Sequence, residues 1–177
     1  MDQLTLANQF ARVGARLKLA ERRPSWRSRS PFRFNDDRKI AIDIQSDTKG
    51  EFFDIAVRQG AAVEVDVVDA RPEDRHLLLL VREGKEKHKF LCGHDERHWF
   101  VAAVPEAKPW VRTVRTAMEA LKPDAVRTAQ ELRAVKAEDH HRRKNGAYVR
   151  QGEWFFVPAP DLEVDELSVL RNEPLRR

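Results

Sequence analysis

The densest group of potential ligands and nucleophiles in this chain is Cys92-Gly-His94-Asp-Glu96-Arg-His98, with His88 just upstream. Thiolate, imidazole and carboxylate together suit a zinc ion, which takes about four such ligands in a tetrahedron. With one cysteine and no further CxxC or HxxxH elsewhere to complete the set, no metal site is expected. Cys92 with His94 or His98 is also a thiol–imidazole pair by composition. The thiol, however, follows Phe90 and Leu91 in an apolar run, where burial raises its pKa and leaves it as packing. Residues 93–97 read as the polar turn between two strands.

Other catalytic patterns fail on placement. Asp69 with Glu83-Gly-Lys85 has the residue types of a magnesium-dependent nuclease, in which carboxylates hold the ion and lysine positions water. Glu83-Gly84-Lys85 falls in a glycine turn, so its side chains point to solvent rather than converge. Glu64 and Asp66 share the wet face of a strand, where salt bridging is the ordinary outcome. No GxSxG elbow and no GxGxxG or GxxxxGK[ST] phosphate loop exists among only seven glycines. His140 and His141, adjacent on the chain, point different ways. The expectation is therefore a non-catalytic protein with no cofactor.

Two basic stretches point instead to an anionic partner. Residues 1–30 hold seven basic and two acidic side chains, while the rest of the chain is about neutral, so the net charge of +4 belongs to one arm. That arm, ERRPSWRSRSPF at 21–32, presents Arg22, Arg23, Arg27 and Arg29 for phosphates and Trp26 for stacking on a base. The competing reading is a linker whose Trp26 packs back on the domain. The second stretch is Arg142, Arg143 and Lys144, followed by Tyr148 and Arg150, with no acid between 140 and 150. Cations interleaved with Tyr148 and Trp154 on an exposed hairpin suit single-stranded nucleic acid. Against this, Tyr148, Trp154 and Phe156 could fill a core under the hairpin.

The elements that position these residues follow from periodicity. Leu6, Phe10, Val13 and Leu17 make one helical stripe, predicting a helix over 3–20, although Gly14 weakens its last turn and would allow Leu17-Lys-Leu19 to be a short strand. From residue 32 the period changes to two. Ile40/Ile42/Ile44, Phe53/Ile55/Val57 and Val63/Val65/Val67 alternate with polar or small residues and are separated by turns such as SDTKG at 46–50. Leu77 to Val81 and Trp99 to Val104 are apolar at every position, as in strands covered on both faces. Short strands without intervening helices argue an antiparallel meander.

After the strands come two predicted helices. One begins at Pro109 with Trp110, Val114, Ala117 or Met118, and Leu121 on its stripe. The other spans 124–138, with Arg127 and Glu131 placed to pair. A hairpin over 147–158 turns at Gln151-Gly152, and a tail over 159–177 runs acidic and then basic.

The expected fold is thus α+β: a mostly antiparallel five- to seven-stranded meander sheet with two or three helices packed on one face. It forms a single domain over 32–158 (sheet 32–105, helical pair 109–138, hairpin 147–158), preceded by the helix at 1–20 and the arm at 21–31. No run approaches the roughly 18 apolar residues of a membrane span, the N-terminus lacks a secretory pattern, and one cysteine fits a reducing compartment, so a cytoplasmic location is expected. The leading function is a nucleic-acid-binding module, the alternative a protein-interaction or assembly subunit, and the third a metal-dependent hydrolase or nuclease.

Overall fold

The computed structural model describes residues 3–22, 39–151, 154–165 and 167. The protein is α+β with mostly antiparallel strands, and it divides into two compact units, Met1–Lys122 and Pro123–Arg177. The boundary separates the two helices expected as a pair.

The first unit runs α1 (Gln3–Arg12), β1 (Leu17–Arg22), β2 (Ile40–Asp47), β3 (Gly50–Arg58), β4 (Glu64–Arg71), β5 (His76–Glu83), β6 (Glu86–His94), β7 (Trp99–Val104) and α2 (Val114–Ala120). Its seven described strands form two sheets rather than one. The first has the order β1-β3-β2, and the second is the meander β4-β5-β6-β7. β1 lies parallel to β3, and the other neighbouring pairs in these sheets are antiparallel.

β5 explains this layering. Leu77, Leu79 and Val81 pack with Phe10, Ile42, Phe53 and Ile55, the core shared by α1 and both sheets. Leu78, on the opposite side of the strand, packs with Leu91, Val111, Val114 and Ala117. Successive side chains of a strand point to opposite faces. A strand apolar throughout is therefore covered by the other sheet on one side and by α2 on the other. α1 and α2 consequently pack on opposite sides of β5.

The N-terminal helix stops at Arg12, short of the predicted residue 20. Gly14 takes φ +79°, its amide donates to Ala11, and the amide of Ala15 donates to Phe10, which is the glycine-ended cap that terminates helices. The freed residues 17–22 become β1, and Arg16 clamps both carboxylate oxygens of Asp47 at 2.8 Å. α2 begins at Val114, later than Pro109. Thr113 and Thr116 form a reciprocal capping box, which leaves Trp110 outside the helix and 49% exposed.

Two close approaches fix the meander. A β-carbon on Gly93 would stand 2.5 Å from Cδ2 and 2.6 Å from Nε2 of buried His76, and 2.7 Å from Phe100. Gly93→Ala is expected to destabilise the first unit by about 1–3 kcal/mol through overpacking. A urea midpoint unchanged from the parent, read by far-UV circular dichroism, would contradict the packing at this site.

At the other contact, Glu51 of β3 accepts the Trp99 amide at 2.9 Å and pairs with His98 Nδ1 at 2.8 Å. Burial acts to raise the Glu51 carboxyl, but the Trp99 amide and His98 outweigh it, and the net shift is downward. A carboxyl with a depressed folded pKa contributes stability above its unfolded value, roughly 4.3, and loses it as pH falls through the folded value. Glu51→Gln should therefore be less stable than the parent at neutral pH and converge on it in acid. Parallel pH–stability curves would show that Glu51 does not join the sheets in this way.

The second unit contains α3 (Asp124–Leu132), β8 (Val149–Gln151) and β9 (Trp154–Phe156). α3 ends six residues before the predicted limit, where Ala134 adopts φ +47° and the amides of Ala134 and Val135 cap Glu131 and Gln130. Arg127 pairs with Asp124, one turn back, instead of Glu131. Val126, Ala129, Ala147 and Tyr148 form this unit's own small core. Among the described residues no helix is long and apolar enough to cross a membrane.

Candidate nucleic-acid interface

The second basic stretch is held by Asn145. Its side-chain oxygen accepts the amides of Ala147 and Tyr148 at 2.9 and 3.1 Å, and its side-chain nitrogen donates to the Asp139 carbonyl at 3.1 Å. Asn145-Gly146 is thus the turn its sequence suggests. Beyond it the chain doubles back, with Lys144 bridging antiparallel to Val149 and the Arg150 amide donating to the Arg143 carbonyl at 2.6 Å. The basic residues therefore lie along β8 as a partial third strand.

Register decides which side chains share a face. Val149 stands opposite Phe156 in β9 and opposite Lys144 on its other side, while Gln151 stands opposite Trp154. Directly paired residues project from the same face. This outer face carries Lys144, Val149, Phe156, Gln151 and Trp154, with Val149 46%, Phe156 50% and Trp154 74% exposed. Large aromatic rings left in solvent beside cations make a surface for stacking unpaired bases with phosphates alongside.

The inner face has the opposite character. Tyr148 is 2% exposed, its ring meets Phe155 edge-on at 5.1 Å, and its hydroxyl donates to the His140 carbonyl at 2.7 Å. Gln130 donates to that same carbonyl at 2.9 Å. Tyr148 is therefore a core residue and its ring is not available for stacking, a correction to its place among the candidate contacts. Arg150 pairs with Phe155, half-buried, and faces away from the aromatic surface. Arg142 and Arg143 are exposed, and Arg142 also meets Asp139 at 2.9 Å. The expected core role of Trp154 and Phe156 is not observed, because both occupy the outer phase of the two-residue period.

Of the arm, Arg22 ends β1, while Arg23, Trp26, Arg27 and Arg29 lie outside the described residues. The candidate catalytic groups have other partners. Cys92 is buried in the inter-sheet core, and desolvation drives its thiol pKa upward, away from reactivity. His98 pairs with Glu51, and the ring of His94 packs edge-on against Trp99 at 4.8 Å. Asp69, turned by a bulge at Val68, accepts the first helical amide of α2 from Val114 at 2.7 Å. Glu83 accepts the Lys39 amide at 3.2 Å, and Glu64 and Asp66 both meet Arg82. Among the described residues no three His, Cys, Asp or Glu side chains are grouped to hold a metal ion.

Compared with protein-family models, curated proteins and solved structures, the chain has no significant match.

Proposed function

We propose that this protein is a non-catalytic binding module that takes single-stranded nucleic acid on the outer face of the β8–β9 hairpin. The observation that carries the reading is the register just described, which puts exposed Trp154 and Phe156 in one surface with Lys144. Base–aromatic stacking supplies about 1–3 kcal/mol per base without regard to sequence, and cations add a salt-dependent attraction to the backbone. Duplex DNA hides the faces of its bases, so an aromatic surface of this kind favours unpaired strands. The arm, with Arg22, Arg23, Trp26, Arg27 and Arg29, is the second contact in this reading.

A protein partner is the second reading, and it draws on the acidic stretch after the hairpin. Leu162 and Val164 alternate there with Asp161, Glu163 and Asp165, and both apolar side chains are exposed. An extended segment of this pattern suits addition to the sheet edge of a basic partner.

Fluorescence anisotropy with labelled oligothymidylate and a DNA duplex separates these readings. The single strand should bind more tightly, with a log–log salt slope of about −0.7 per phosphate contacted. Trp154→Ala with Phe156→Ala should weaken binding by roughly 2–6 kcal/mol at an unchanged salt slope, one stacked base lost per ring. Alanine at Arg142, Arg143 and Lys144 should flatten the slope, as should alanine at Arg22, Arg23, Arg27 and Arg29. If the aromatic variant binds like the parent, the hairpin is not the contact surface. Absence of binding at low salt, together with a copurifying protein, would favour the second reading.

A further inference from the structure

A cavity of about 190 Å³ opens between the two sheets of the first unit, where β2 begins and β7 ends. Ile40 and Ile42 form one wall, and Phe90 and Ala103 the other. Ala103 stands directly opposite Phe90 in the β6–β7 ladder, and its single methyl leaves open the end of a core that larger side chains fill elsewhere. Glu83, His88 and Glu106 also line the cavity. Lys89 also borders the cavity, but its ammonium donates to the Pro109 and Val111 carbonyls ahead of α2.

We propose that this cavity binds a small organic cation, an ammonium or guanidinium group on a short apolar body. The walls take the apolar part. Charge complementarity selects the head group: among the described residues neither Glu83 nor Glu106 meets a lysine or arginine cation. Among the described residues Glu83 accepts the Lys39 amide, and Glu106 meets His88 Nδ1 at 3.0 Å. Each carboxylate therefore retains acceptor capacity toward a charged donor. The volume falls below the roughly 300–1,000 Å³ of pockets for drug-sized ligands, which limits the occupant to a simple amine or a molecule of similar size. This site is independent of the hairpin surface.

Isothermal titration of the full chain with hexylammonium tests the assignment, with hexanol and hexanoate as neutral and anionic controls of equal length. Hexylammonium should saturate one site per chain, and both controls should bind at least about tenfold more weakly, a difference of about 1.4 kcal/mol. Glu83→Gln combined with Glu106→Gln should reduce the amine to the level of hexanol. Ala103→Phe should abolish binding by filling the space, and Ala103→Leu gives the same readout if the larger ring prevents folding. Circular dichroism establishes that each variant is folded. The proposal is overturned if no saturable binding occurs, if the three ligands bind alike, or if the folded cavity-filling variant binds as the parent does.

Discussion

Burial of β5 on both faces is the constraint on which the first unit depends. Leu77, Leu78, Leu79 and Val81 are fully buried, and each such side chain is stabilised by roughly 1.5–3 kcal/mol relative to exposure. No single layer can supply that burial. The β1-β3-β2 sheet and α1 must cover one side and α2 the other, so the order of layers follows from a run of apolar residues. The cap at Gly14 belongs to the same requirement. By ending α1 it turns Val13 into the core and returns the chain as a strand beside β3.

Acidic residues that resemble catalytic groups in sequence serve as backbone anchors in space. Glu51 reaches from one sheet to the Trp99 amide of the other, Asp69 accepts the opening amide of α2, and Asp95 accepts the amides of Arg97 and His98 in the β6–β7 turn. Each satisfies a donor at a place where the regular ladder or helix does not. Carboxylates held this way each serve a separate backbone donor rather than a common point.

Strand positions and the double-sided apolar run of β5 were legible because period two and continuous hydrophobicity are local signals. The division into two sheets was not, because alternation states which face is buried and not what covers it. Helix ends follow single backbone conformations rather than the stripe: at Gly14 the structure takes the short-strand alternative for Leu17-Lys-Leu19, and at Ala134 it stops a helix that the periodicity extends to residue 138. In the hairpin, composition placed cations and aromatics together, but phase along a three-residue strand decided their roles. Tyr148 and Phe155 pack against each other, whereas Trp154 and Phe156, each one residue from Phe155, face solvent. Alternation within 154–156 separates Phe155 from Trp154 and Phe156, and counting aromatics does not.

The binding account rests on the outer face of β8–β9 being a preformed surface, fixed from behind by Tyr148 and by the Asn145 turn, so that little ordering opposes contact. Its most direct test is amide hydrogen exchange measured with and without saturating oligothymidylate. Slower exchange at residues 142–144 and in β8 and β9, with the β5 and β6 amides unchanged, is the result this account predicts. Protection elsewhere with none at the hairpin would contradict it and move the contact surface to another part of the chain.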